Sequence, residues 1–94
     1  MNQETEVLTK ALAKCASLLH DYPAFPPLLS TKVQLEYLIA LVNGSSNDRS
    51  RLKDIIIGVY AAREFETMDM SFANLLYEAD EIAERLKRTK SRPD

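Results

Sequence analysis

Three prolines in five positions divide the first half of this chain. In Tyr22-Pro23-Ala24-Phe25-Pro26-Pro27 each ring removes a backbone donor and pushes the residue before it out of the helical region, so a helix arriving there has to stop. On the N-terminal side Leu8, Leu12, Cys15 and Leu19 recur at spacings of four, three and four. That is one face of a helix over about residues 2–21, widened by Val7, Ala11 and Leu18, with Asn2 or Thr5 as its cap. On the other side Leu35, Leu38, Ile39 and Val42 mark a second helix over about 30–43, with Tyr37 and Leu41 flanking the face. Thr31 and Gln34 have capping-box spacing, and Asn43-Gly44 is a stop signal because glycine tolerates the left-handed conformation common at helix ends. The proline segment is then a stiff connector whose Tyr22 and Phe25 pack on the core. A proline-rich recognition ligand is the alternative, but Pro23 and Pro26 have PxxP spacing only once.

The most apolar block follows a polar turn. In Arg51 to Asp69, RLKDIIIGVYAAREFETMD, the residues Leu52, Ile55, Ile56, Val59 and Ala62 fall on one helical face, and Ile57 and Tyr60 extend it most of the way round. A helix apolar nearly all round belongs at the centre of a bundle, so the pattern predicts a third helix over about 48–65. Gly58 inside it predicts a close approach by a neighbouring helix, since glycine costs about 1 kcal/mol there relative to alanine. Asp69 is a good N-cap for a fourth helix over about 70–88, whose stripe of Phe72, Leu75, Leu76, Ala79, Ile82, Ala83 and Leu86 is the cleanest in the chain. Its basic end, through Lys90, complements the helix dipole, and Thr89 to Asp94 reads as a frayed tail. The fold expected is all-α, a small four-helix bundle forming one domain over residues 1–94.

With 94 residues, 46% of them hydrophobic, the chain can bury one core. A net charge of −2 argues against general nucleic-acid binding, which depends on cations neutralising phosphates. No apolar run approaches the ~20 residues needed to span a bilayer. The start, MNQETEV, lacks the basic and apolar regions of a signal peptide, which together predict a cytoplasmic protein.

The chemistry-bearing residues give no catalytic pattern. His20 is the only histidine and Cys15 the only cysteine, the latter on an apolar face where free cysteine behaves as a small hydrophobe. No metal-ligand spacing, phosphate loop or nucleophile motif is present, so neither a metal nor a cofactor is expected, and no enzyme. Glu64, Glu66 and Asp69 cluster in sequence, but acid–base work would require a pocket that shifts their pKa values. What remains is a surface: Tyr37, Tyr60, Phe65, Tyr77 and Arg63 are types enriched at binding hot spots.

The combination YPAFPPLLSTKVQLEYL (22–38) followed by DRSRLKDIIIGVYAAREFETMD (48–69) resembles a family of small bacterial immunity proteins that neutralise a type VI secretion effector destroying NAD and NADP. The similarity covers about residues 20–80 and is carried by Tyr22-Pro23, Leu28-Leu29-Ser30, Gln34-Leu35, Tyr37, Asp48-Arg49-Ser50, Gly58, Glu64-Phe65 and Asp69. The Leu86–Arg92 end and Met70 depart from the family's pattern. The resemblance implies a cytoplasmic helical protein without activity of its own, whose partner is the toxin domain of a cognate secreted effector. Residue type and matching position nominate Tyr37, Tyr60, Arg63, Glu64, Glu66 and Asp69 as partner-binding, with Arg63 to Asp69 leaving the core. The alternative is a helical adaptor or regulatory module that binds another protein's helix, and a homo-oligomer would be a further way to cover the apolar third helix.

Overall fold

The structure, a computed structural model, describes residues 3–88. The nominated cap Asn2, Lys90 and the expected tail 89–94 lie outside the described residues. The first helix, α1, spans Gln3–Asp21, and Thr5 lies inside it rather than capping it. Leu8, Ala11 and Cys15 are its fully buried positions, while Leu12, Leu18 and Leu19 pack at the edge of the core. The chain then turns through Tyr22-Pro23-Ala24, and the second helix, α2 (Pro26–Val42), starts four residues earlier than the sequence pattern predicts. The prolines that end α1 also begin α2: Pro26 and Pro27 occupy the first turn, where no N–H is needed and φ is already helical. The Phe25 carbonyl accepts the N–H groups of Leu28 (3.0 Å) and Leu29 (3.2 Å).

That earlier start corrects the capping-box reading. Thr31 is in the second turn of α2, fully buried, and its hydroxyl makes no hydrogen bond among the described residues. The α2 stop is as predicted, with Gly44 at φ 85° just past the helix.

The predicted third helix over 48–65 is broken. Asp48 does not cap a helix; its carboxylate accepts the Ser50 N–H (3.0 Å) in a local turn. A single 3-10 turn, Leu52–Asp54, comes next, and Ile55 then goes extended (φ −72°, ψ 120°). Helix resumes only at α3, Ile57–Tyr60, which runs directly into a π-helical turn, Ala61–Phe65, closed by Glu66 N–H to the Ala61 carbonyl (3.0 Å). Three consecutive β-branched residues followed by glycine make poor helix, and α2 supplies side-chain partners to the freed backbone groups. The break changes the register of burial. Leu52, Ile55, Ile57, Ala61 and Phe65 face the core, whereas Ile56, Val59 and Ala62 are exposed.

The fourth helix, α4 (Met70–Arg88), follows the predicted stripe closely. Phe72, Ala73, Leu76, Ala79, Ile82, Ala83 and Leu86 are buried, and Asp69 caps it through the Phe72 N–H (3.1 Å). α1 packs against both α2 and α4, and α3 with its π-turn packs on α4. At one end Phe65 sits edge-on between Phe25 (centroids 6.3 Å apart) and Phe72 (4.9 Å), joining the proline connector, the π-turn and α4. The ends of α1 and α4 are joined by a two-point Glu4–Arg85 ion pair at 2.5 and 2.6 Å. The result is the all-α bundle expected, with a kinked third member.

Two predictions follow from the α1–α2 interface. An unbonded buried hydroxyl costs about 1–3 kcal/mol, so the near-isosteric Thr31→Val should stabilise the fold by about 1 kcal/mol. This would raise the thermal midpoint by about 4–8 °C, whereas a lower midpoint would show that Thr31 has a partner. Cys15 is buried with its Sγ 3.4 Å from the Leu28 carbonyl. Burial pushes its thiol from 9.0 up to about 11, with the nearby Lys32 acting the other way. The unfolded thiol ionises first, so stability contributed by this group is complete below pH 9 and declines as pH rises towards 11. The native protein should resist thiol reagents at pH 8, and denaturation midpoints should fall with a slope above pH 9 that is absent from Cys15→Ala.

Candidate protein-binding surface

The break in the third helix is held open by a comb of side chains on α2. Ser30, Gln34 and Tyr37 lie at spacings of four and three, which is one helical face. Gln34 Nε2 donates to Ser30 Oγ (3.0 Å), and Gln34 Oε1 accepts the Ile56 N–H (2.8 Å). The Tyr37 hydroxyl donates to the Asp48 carbonyl (2.7 Å) and accepts the Arg51 N–H (3.1 Å). On the other flank an Arg49 guanidinium N–H donates to the Leu86 carbonyl at the end of α4. The Gln34 and Tyr37 bonds take backbone groups of Asp48, Arg51 and Ile56, and of these the Asp48 carbonyl and the Ile56 N–H are groups that a continuous helix would have paired internally.

The consequence is an apolar surface with no covering element. Leu29, Val33, Ile56 and Val59 are each 41–55% exposed. Leu29 and Val33 are one turn apart on α2. Val33 and Ile56 both line a groove of about 330 Å³ with Ser30, Gln34, Tyr37 and Arg51. Ile55 and Ile56 also line a second groove of about 470 Å³, shared with Val59, Arg63, Tyr77 and Asp80. The two grooves therefore adjoin at Ile56. A larger concavity of about 630 Å³, between the ends of α1 and α4, is walled by the paired Glu4 and Arg85 together with Glu78 and Glu81, and holds none of these exposed apolar residues.

The second groove contains the close approach expected at Gly58. A Cβ there would lie 2.8 Å from the Asp80 carboxyl carbon. Burial raises the Asp80 pKa, as does Glu84, while Lys87 and a hydrogen bond from the Gly58 N–H act against the rise. Asp80 thus holds the first turn of α3 against α4. Glu66 accepts the Tyr77 hydroxyl, which keeps the phenol protonated to higher pH.

The sequence-nominated residues divide between this surface and other places. Tyr37 lines the first groove and Arg63 the second. Glu66 reaches the second groove's rim through Tyr77. Tyr60 is half-buried against the core, and Glu64 is half-buried within the π-turn. Asp69 caps α4 and pairs with Lys14 of α1 at 3.3 Å. Phe65, expected among the exposed aromatics, is fully buried, so the segment from Arg63 to Asp69 leaves the core only in part. Sequence reasoning missed Val33, Ile56, Val59 and Gln34. The available signal was the isoleucine run ahead of Gly58, whose β-branching and glycine weaken a continuous helix.

Among the described residues no group of three His, Cys, Asp or Glu side chains is arranged to hold a metal, and no helix is long and apolar enough to cross a membrane. The fold and surface define a small all-helical domain with an uncovered apolar face. Residues 3–85 match the model of the Tsi6 family, and the chain belongs to that family. It is 32% identical over 83 residues, 88% of either chain, to the protein named Immune protein Tsi6 of Pseudomonas aeruginosa. It superposes with a TM-score of 0.87 and 30% identity on a chain of the solved structure of Tse6 in complex with Tsi6, covering 96% of each. The structure of Tsi6 from Pseudomonas aeruginosa gives 0.83 at 29% identity, covering 99% of this chain and 97% of that one. The resemblance to an immunity family read from the sequence is borne out.

The Gly58–Asp80 contact can be tested by a double-mutant cycle. Gly58→Ala should lower stability by about 1 kcal/mol, because displacing the bonded carboxylate outweighs the gain in helix propensity. Combining it with Asp80→Ala should cost little more than either change alone. Strictly additive losses in chemical denaturation would mean the two residues do not interact.

Proposed function

We propose that this protein is an immunity protein that binds the toxin domain of a cognate type VI secretion effector and blocks its active site, through the surface of Leu29, Val33, Ile56 and Val59. The observation that carries this reading is that apolar surface, left uncovered by the bond from Gln34 to the Ile56 backbone, on a member of a family with a relative solved together with Tse6. The finer reading, supported by the sequence resemblance, is that the effector destroys NAD or NADP and that neutralisation takes place in the cytoplasm of the producing cell. Inhibition is stoichiometric occlusion. A standard interface removes ~800 Å² from each partner, enough to cover both grooves, and a lasting block depends on slow dissociation. Ile56 and Val59 supply the apolar centre. Tyr37, Arg51 and Arg63 supply the aromatic and guanidinium groups that recur at interface hot spots.

The test mixes the purified protein with the toxin domain of its cognate effector and follows NAD consumption. An equimolar amount is expected to stop the loss; binding without any slowing would favour the helical adaptor instead. Ile56→Asp together with Val59→Asp should weaken binding by about a hundredfold or more, since a partner would have to desolvate two carboxylates. Both positions are exposed, so the thermal midpoint should stay close to that of the unmodified protein. An undiminished affinity in this variant would place the contact elsewhere.

A further inference from the structure

Ile56 is exposed while its neighbours Ile55 and Ile57 are buried, at only 7% and 0% exposure. A side chain so placed in a helix would be carried by the helix's own bonding pattern. Here that pattern is interrupted, since Ile55 N–H reaches back only to the Leu52 carbonyl (3.2 Å) and Ile56 N–H leaves the segment altogether for Gln34 Oε1 (2.8 Å). The amide of Gln34 is itself oriented by its donation to Ser30 Oγ. A second tie, Tyr37 to Asp48 and Arg51, fixes the approach to the same segment. The ties meet polar backbone groups that would otherwise be free to recruit the next turn of helix. Extending the 3-10 turn forward would rotate Ile56 towards the core and bring a buried isoleucine outwards.

We propose that Gln34 is a positioning residue of the docking surface: its side-chain carbonyl holds the Ile56 backbone in the one arrangement that turns the Ile56 side chain towards the partner. The proposal rests on the reading of that surface given above. Gln34 acts through Ile56 and not by its own contact. When the tie is lost, the presented arrangement becomes one of several, and the measured affinity falls by the fraction of molecules that hold it. The loss then appears mainly in the association rate, because the complex once formed makes the same contacts.

The experiment uses the full chain and the toxin domain of the cognate effector, with two readouts: hydrogen exchange of the Ile56 amide, and binding kinetics. Gln34→Leu removes the acceptor at similar size, and Gln34→Glu keeps an acceptor oxygen. In Gln34→Leu the Ile56 amide is expected to exchange about tenfold faster and the Kd to rise about tenfold, chiefly through slower association. In Gln34→Glu both values should stay within about threefold of the unmodified protein. Tyr37→Phe keeps the ring in the groove and removes only the hydroxyl that bonds Asp48 and Arg51, so if Gln34→Leu folds poorly, faster Ile56 amide exchange together with slower association in Tyr37→Phe supports the proposal, and faster exchange with unchanged association overturns it. The proposal is overturned if Gln34→Leu weakens binding while the Ile56 amide stays protected, which would make Gln34 a direct contact. It is equally overturned if the amide is released and the affinity does not change. Failure of the underlying reading looks different: Ile56→Asp would leave affinity intact, or the unmodified protein would not bind the domain.

Discussion

One backbone N–H, that of Ile56, is bonded to a side chain of another helix instead of to its own, and much of the molecule follows from that choice. The Gln34 carbonyl that accepts it divides what would be a long central helix into a 3-10 turn, a short α3 and a π-turn. The division lets five apolar residues of this stretch reach the core at irregular spacings and lets three others, Ile56, Val59 and Ala62, face outwards. A continuous amphipathic helix would offer a single stripe and bury it. The interruption creates two faces from residues 52–65, one buried and one exposed, and α2 carries the polar side chains that make the arrangement affordable.

The bundle around this break is conventional. α1, α2 and α4 are held by interdigitated leucines and alanines, and their capping follows local rules: prolines in the first turn of α2, glycine past its end, Asp69 before α4. Single exposed ion pairs contribute little by themselves, but Glu4–Arg85 and the Arg49–Leu86 bond sit where α4 ends, tying that end to α1 and to the loop before the break. Phe65 performs the same task at the opposite end, where its ring meets Phe25 and Phe72. The kinked segment is thus anchored at both of its limits.

The regular helices were legible from periodicity because their burial depends on local spacing, and α4 matches its predicted stripe almost residue for residue. Residues 48–65 were not legible in the same way. Their apolar density fits a central helix, and what overrides it is a set of tertiary hydrogen bonds from Gln34 and Tyr37, more than ten positions away in the chain. The same cause hid the exposed apolar surface. Reading for aromatic and charged types pointed at Tyr37 and Arg63, which do line it, but also at Phe65, whose ring is in the core. Ile56 and Val59 looked like core residues, and only the altered register places them outside. The start of α2 is ambiguous in the sequence for a local reason: Pro26 and Pro27 end a helix that arrives at them, and their geometry equally suits the first turn of the next.

The alternation of Ile55, Ile56 and Ile57 between inside and outside has an evolutionary consequence. The outer residue contributes nothing to the packed interior, so it can be exchanged for a different shape or charge without disturbing its neighbours. Val33 and Val59 stand in the same position on their own elements. On the docking face proposed above, a lineage facing a changed adversary can therefore rewrite recognition by substitution at a few sites while the scaffold is inherited intact. Drift at those sites costs the bundle little, which allows recognition to diversify faster than the fold that displays it.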